Sequence, residues 1–324
     1  MKRRGLLAYS ASLPLGVPLV AAPAIVRAQK PYPNAPITIV VGLSPGGSTD
    51  ATIRFMAKEA SEQFGVQVIV ENRPGGAQTI APARVAHGPR DGYTLVAVTY
   101  TPYTTAPFFQ TLPYDVDKDF TFIGQYATVL YPNYVMTESP LKTWDDALEF
   151  ARSKPEALKW ASATPLSPQQ AANEAAFRML GLKTIFVPFK GGAEALTSMM
   201  GGHVDMIVTA DFGPMLSAGR VRLLSELGPT RAQGMENIPC FGELKYPYNL
   251  RTGYGLAGPS GMPPEVMQVW TQFLQKLSGN AEWRKLLDSF NFIPELVLGE
   301  KFRNQILASR DEFGKILPTL NFKP

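Results

Sequence analysis

The stretch Ile37-Thr38-Ile39-Val40-Val41-Gly42-Leu43-Ser44-Pro45-Gly46-Gly47-Ser48-Thr49-Asp50 decides the fold. Its first five residues form a short apolar run, as expected of a strand buried on both faces. A loop rich in glycine and proline follows. Beyond it, Ile53, Met56, Ala57, Ala60 and Phe64 recur with helical spacing. Residues 67–70 read as a second strand, 71–76 as a loop, and the segment to Ala86 as a second helix. A turn at Pro89-Arg90-Asp91-Gly92 then leads into a strand at 93–99. This β-α-β-α-β series predicts an α/β fold with a mainly parallel sheet and helices on both faces.

The pattern restarts further on. Thr143, with Asp146 three residues later, predicts a capped helix over 144–154, stopped by Pro155. A strand is expected at 159–162, a loop at 163–167, and a helix at 168–180 with proline in its first turn. A strand at 184–187, a helix at 193–200 and a strand at 205–209 follow. The chain therefore carries two α/β units. A strand at 254–257 leads into helices at 263–277, 281–289 and 301–317, which are expected to cover the first unit.

Outward from this core, the start of the chain has the pattern of an export signal. Lys2, Arg3 and Arg4 precede an apolar stretch from Leu6 to Val26, and Val26-Arg27-Ala28 is an A-x-A-like triplet. Arg3-Arg4 also fits a minimal twin-arginine pattern, so either the general secretory or the twin-arginine route is open. Cleavage is expected after Ala28, giving a periplasmic protein. Pro14, Pro18 and Pro23 argue against a retained anchor. Residues 1–28 hold four of the 31 basic residues and none of the 27 acidic ones, so the formal +4 falls to zero on cleavage. That balance gives no support for a nucleic-acid partner. A single cysteine, Cys240, permits no intrachain disulfide.

In open α/β sheets, ligands sit beyond the carboxyl ends of the strands. Residues 44–49 occupy such a place and lead into a helix N-terminus. Gly46 and Gly47 let backbone approach a ligand, and N–H groups there, with those of Ser48 and Thr49, can converge on an anion. A plain connecting turn is the other reading of the same loop. No phosphate-loop Gly-Lys-Ser/Thr follows. Asp50, in the first turn, is expected to stabilise the helix end. His87 and His203, the only histidines, lie far apart, which argues against a hydrolytic triad and a zinc site. No cofactor is called for. Tyr100, Tyr103, Phe108, Phe109, Tyr126, Tyr131 and Tyr134 crowd the segment between the units, as core and hinge packing or as a platform for a flat ligand.

Several motifs together are similar to those of the Bug/TctC receptors, the solute-binding proteins of tripartite tricarboxylate transport systems. They are Tyr32-Pro33-Asn34-Ala35-Pro36 with the strand and loop quoted above, Val70-Glu71-Asn72-Arg73-Pro74-Gly75-Gly76, Asp91-Gly92-Tyr93-Thr94-Leu95 and Leu112-Pro113-Tyr114-Asp115. Val187-Pro188-Phe189-Lys190-Gly191-Gly192, Gly201-Gly202-His203-Val204-Asp205 and Ala218-Gly219-Arg220-Val221-Arg222 continue the series. The resemblance implies a two-lobed periplasmic binding protein of type II, its lobes joined by two crossing strands and closing on a small ligand without catalysis. Lobe 1 would comprise 29–130 and 253–324, and lobe 2 would comprise 131–252. The implied ligand is a small organic acid, the implied partners are membrane transporter subunits, and a monomer is expected.

Carried over residue by residue, the resemblance places Ser44, Gly46, Gly47, Ser48 and Thr49 on one side of the ligand. Ala163, Thr164, Leu166 and Ser167 face it from the other. The second-lobe loop departs from the family's Gly/Ser-rich pattern, since Pro165 and Pro168 offer no N–H. Asp211 is a candidate for the position that meets an ammonium group in amino-acid binders of the family. Two other readings stand beside the transport receptor: a ligand sensor for a membrane kinase, and an exported hydrolase, which would need a reactive serine.

Overall fold

The computed structural model describes residues 31–320. The expected signal peptide lies outside the described residues. In chain order the elements are β1 (Ile37–Val41), α1 (Ser48–Phe64), β2 (Val68–Asn72), α2 (Ile80–Ala86), β3 (Thr94–Val98), α3 (Thr101–Thr104), β4 (Phe120–Val129) and β5 (Pro132–Met136). Next come α4 (Trp144–Ser153), β6 (Lys159–Ser162), α5 (Pro168–Met179), β7 (Ile185–Phe186), α6 (Gly192–Met200), β8 (Met206–Val208), α7 (Phe212–Ser217) and β9 (Val221–Glu226). The chain ends with β10 (Thr252–Pro259), α8 (Pro264–Ser278), α9 (Ala281–Ser289), β11 (Ile293–Leu298) and α10 (Gly299–Leu320).

Two sheets result. The first has the order β11-β4-β10-β3-β1-β2 and the second β7-β6-β8-β5-β9. The β-α-β units form as their apolar patterns dictate: β1 pairs in parallel with β2 and β3, and β6 with β7 and β8. The expectation of mainly parallel sheets is corrected, because both sheets are mixed. Chain β4 leaves the first sheet for β5 in the second, and the chain returns along β10. A strand that returns beside the one that left must run against it, and β10 pairs antiparallel with both β4 and β3. In the second sheet β5 is likewise antiparallel to β8 and β9.

Local chemistry fixes the elements around the cleft. Helix α1 buries Ile53, Met56, Ala57 and Ala60 against the first sheet and stops at Gly65, whose φ of 68° suits glycine. Helix α4 carries the anticipated capping box: Thr143 accepts from Asp146 N–H, and the Asp146 carboxylate accepts from Thr143 N–H. The C-terminal helices cover the first sheet, where Trp283 of α9 packs on Phe55 and Tyr126, and Trp270 and Phe273 of α8 pack on Phe64. A second aromatic group, Trp144, Phe177 and Trp160, fills the second lobe. Cys240 is buried as a free thiol.

Where β9 hands over to the returning segment, Glu226 is 1% exposed. Its Oε2 accepts from Gly228 N–H at 2.8 Å and stands 3.9 Å from the Arg251 guanidinium, while Oε1 has no hydrogen-bond partner among the described residues. Burial pushes its carboxyl up to about 7. A free chain ionises this group near pH 4.3. Its favourable contribution is therefore complete below that pH and is lost as pH rises through about 7. Glu226→Gln should stabilise the protein at pH 8 relative to wild type by up to about 3 kcal/mol, with the gap closing below pH 5. Urea unfolding at the two pH values measures it, and an equal difference at both would contradict the assignment.

Candidate functional site

The lobes meet at the carboxyl ends of β1, β6 and β8. Helix α1 begins there at Ser48 with Gly47 as its cap residue and no side-chain cap of its own. The first N–H groups of a helix have no intrahelical acceptor, so α1 presents bare donors and the positive end of its dipole to the cleft. Helix α6 does the same from the other lobe, with Gly191 as cap residue and no side-chain cap. Between the two helix ends sits Asp211. Its Oδ1 accepts from Ser48 N–H at 2.6 Å, and Oδ2 fills the space where a Cβ on Gly192 would stand. Burial raises the Asp211 carboxyl above its ordinary value, and the Ser48 N–H opposes that rise without overcoming it.

Further bonds close one lobe on the other. Ser44 N–H donates to Lys190 O at 3.1 Å, and Ser44 Oγ donates to Glu194 Oε1 at 2.5 Å. Gln78 Nε2 donates to Thr164 Oγ1 at 2.9 Å, and Thr105 Oγ1 donates to the Leu166 carbonyl. Together they enclose a cavity of about 30 Å³. This holds little more than a water molecule, so the lobes must part to admit a larger solute. Across the Gln78–Thr164 bond lies an outer recess of about 340 Å³, walled by Pro165, Pro188 and Phe189.

Of the residues expected at the site, Ser44, Gly47, Ser48, Thr49, Ala163, Thr164 and Asp211 line the inner cavity. Gly46, Leu166 and Ser167 do not. Gly46 makes the turn at a φ of 92° and donates its N–H to Asp50. Ser167 is spent as the cap of α5, accepting from Gln170 N–H and pairing with Ser162 Oγ. Leu166, at a φ of 57°, gives its carbonyl to Thr105 and its N–H to Gln170. Asp50 serves the helix end as expected: it accepts from Gly46, Arg54 and Asn72. Burial alone would raise its carboxyl, but those donors, Arg54 foremost, hold it below the usual range. The charge of Arg54 is thereby tied to Asp50 rather than aimed into the cleft.

Sequence reasoning missed Gln78. Its loop runs Gly75, Gly76, Ala77, Gln78 with φ of 118°, 56°, 51° and 68°, an unusual run for two non-glycine residues. This conformation buries the Gln78 amide in the cleft, where it accepts from Thr99 Oγ1 at 2.5 Å and donates to Thr101 and Thr164. The Gly-Gly pair was the available signal. Tyr100, Tyr131 and Tyr254 also line the cavity, whereas Tyr103, Tyr126 and Tyr134 are buried away from it. Thr49 Oγ1 lines it as well, buried and without a hydrogen-bond partner among the described residues.

Gly42-Leu43-Ser44-Pro45-Gly46 has the G-x-S-x-G spacing of a nucleophile elbow, between a strand and a helix. The geometry gives Ser44 no base of the expected kind. Its hydroxyl meets Glu194, while His87 Nε2 is paired with Pro113 O and His203 lies in the turn after α6. Among the described residues no cluster of side chains is arranged to hold a metal ion, and no helix is long and apolar enough to cross a membrane.

This is the architecture of a two-lobed solute-binding protein. The model of the tripartite tricarboxylate transporter family receptor matches residues 52–317, and the chain belongs to that family. Among its relatives, the protein of the gbd 5′ region of Cupriavidus necator is 29% identical over 301 residues, covering 93% of this chain and 90% of the relative. BugT of Bordetella pertussis is 26% identical over 260 residues, covering 76% of this chain and 77% of BugT. The R. palustris protein Rpa4515, solved with adipate, is 26% identical with a TM-score of 0.84, covering 90% of this chain and 99% of that one. The periplasmic binding protein BugD, at 20% identity and a TM-score of 0.78, shares the fold; 89% of this chain and 98% of BugD are covered.

Closure depends on how near Gly191 comes to Ser44. A Cβ at Gly191 would lie 3.1 Å from Ser44 Cβ and 3.2 Å from its nitrogen, although the extended backbone there accepts any residue. Gly191→Val should therefore leave the melting temperature within a few degrees of wild type while enlarging the radius of gyration in small-angle scattering. An unchanged radius would show that the lobes close without this contact.

Proposed function

We propose that this protein is a periplasmic receptor that captures a small carboxylate between its lobes and delivers it to a membrane transporter. The observation that carries the reading is the α1 N-terminus, uncapped by its own residues and turned into an enclosed cavity. Such an end is a ready anion site requiring no charged side chain. The buried Thr49 hydroxyl beside it has a free hydrogen-bonding capacity for the same guest. Family membership supports the transport role, and the adipate held by Rpa4515 supports a carboxylate. The role is one of binding without catalysis. Gly47, Ser48 and Thr49 grip the acid group from the first lobe, Ala163 and Thr164 face it from the second, and Ser44 stays engaged with Lys190 and Glu194 across the cleft.

Capture then works by population shift. A solute that bridges both lobes binds the closed form better than the open one and so draws the equilibrium toward closure. The test is a thermal-shift and calorimetric screen of mono-, di- and tricarboxylates, aromatic acids and amino acids. Saturation at ~100 times the dissociation constant adds about 2.7 kcal/mol of stability. Gly47→Val, whose new Cβ would stand 3.1 Å from Asp211 Oδ1, should abolish binding of the active acid while the protein stays folded. Undiminished affinity in that variant rejects the site.

A further inference from the structure

We propose that Asp211 is an internal competitor for the solute's acid group, so that the receptor takes up a carboxylate together with one proton. The proposal rests on the carboxylate reading for its solute and on the Asp211–Ser48 contact for its mechanism.

Helix α1 lacks a cap of its own, and the carboxylate that caps it comes from the opposite lobe, 2.6 Å from Ser48 N–H. That N–H is one of the donors a captured carboxylate would use. The second oxygen of Asp211 lies at the equally uncapped start of α6, against Gly192. The surroundings of Asp211 offer no neutralising charge. Among the described residues no Lys, Arg or His lies within ion-pair distance of it, and the groups facing it are acidic or neutral. Tyr131 from the crossing segment, Tyr134 from β5 and Tyr254 from β10 feel its charge. Asp50 of α1 is tied to Arg54, and Glu194 of α6 to Ser44. Lys190, before α6, forms no ion pair among the described residues, and the end of α9 meets Gly213 through backbone of Ser289 and Phe290.

A solute carboxylate entering this cavity places two carboxylates in one buried site. Like charges at such range do not both remain ionised, and one takes a proton. Asp211 is the group that takes it, since burial already favours its neutral form. The proton comes from solvent and remains on an Asp211 oxygen; no bond in the solute breaks. The resulting O–H is a donor where the carboxylate was an acceptor, so Asp211 changes from rival to partner. Thr49 Oγ1, 2% exposed, near Tyr254 and without a close hydrogen-bond partner among the described residues, supplies a further contact in the same cavity. The affinity for a carboxylate should then fall as pH rises, because the proton becomes scarcer.

The test is calorimetric titration of adipate, malate and benzoate into wild type and Asp211→Asn, in buffers of different ionisation enthalpy between about pH 6 and 8. Wild type should take up close to one proton per acid bound and lose up to about tenfold in affinity per pH unit. Asp211→Asn should take up none, show a flat profile and bind more tightly than wild type at the upper end of the range. Equal proton uptake in the two proteins overturns the proposal. So does a loss of binding in Asp211→Asn, which would make the carboxylate a direct partner of the solute. A second measurement needs no solute: small-angle scattering should show Asp211→Ala more expanded than wild type, and equal radii of gyration would remove the cross-lobe cap. If no acid binds wild type or Asp211→Asn at any pH, the carboxylate reading fails and the proton linkage fails with it. If acids bind both alike, only the competitor role of Asp211 is lost.

Discussion

The hydrogen bond from Ser48 N–H to the Asp211 carboxylate is the contact around which the cleft is organised. A helix must satisfy its first N–H groups, and α1 is denied a side-chain cap by Gly47. The deficiency is made good only when the lobes come together and Asp211 of the second lobe reaches the first. The same holds for the other bonds across the cleft, from Ser44, Gln78 and Thr105. Each joins groups that water can satisfy equally well when the lobes part. A typical hydrogen bond contributes only about 1 kcal/mol net, so a handful of them favours closure modestly and leaves opening accessible. An apolar seam of the same area would hold the lobes shut, since opening it would expose surface at ~25 cal/mol per Å². The bonds that join the lobes across the cleft are hydrogen bonds, the kind of contact that gives way most easily.

The hinge has the opposite character. Strands β4 and β10 are paired over nearly their whole lengths, and the first sheet buries both. Where the chain crosses, Tyr131 and Thr252 are bonded through their hydroxyls at 2.9 Å, which ties the outgoing and returning segments together. Irregularities in register at Tyr254/Gly255 and Leu256/Ala257 fall within β10, close to this crossing. Glycine at 255 is required by packing, for a Cβ there would strike the Gly124 carbonyl and the Phe302 ring. Stiff strands with a short crossing suit the lobe rotation that the proposed capture requires.

Much of this was legible in the chain. The apolar run of β1, the helical spacing of α1, the Thr143–Asp146 box and the β-α-β alternation of both units each have a local cause, and local causes leave sequence patterns. The mixed sheets were not legible. Strands β4 and β5 lie in an aromatic-rich stretch whose direction is set by the need to cross between lobes and return, a constraint with no local signature. At the site, the backbone loop around Ser48 could be read from its glycines. Gln78 was signalled only by the Gly-Gly pair before it, because the three threonines that hold its amide are distant in sequence. Ser167 looked available for a ligand but caps a helix, a competing use of the same hydroxyl that the following proline in α5 does indicate.

The distribution of charge accords with the proposal that backbone carries recognition. Asp50 holds the one arginine of α1, and Asp211 stands in the cleft without a cation. An arginine fork would grip a carboxylate firmly in open and closed forms alike, and a ligand held equally by both forms shifts nothing. Donors that converge only on closure differ between the two forms, and that difference is what drives the clamp. A buried carboxylate of the protein's own sharpens it further, by giving the closed form an occupant for those donors that the solute must replace. On the proposed competition, the affinity is lower than bare amides would give.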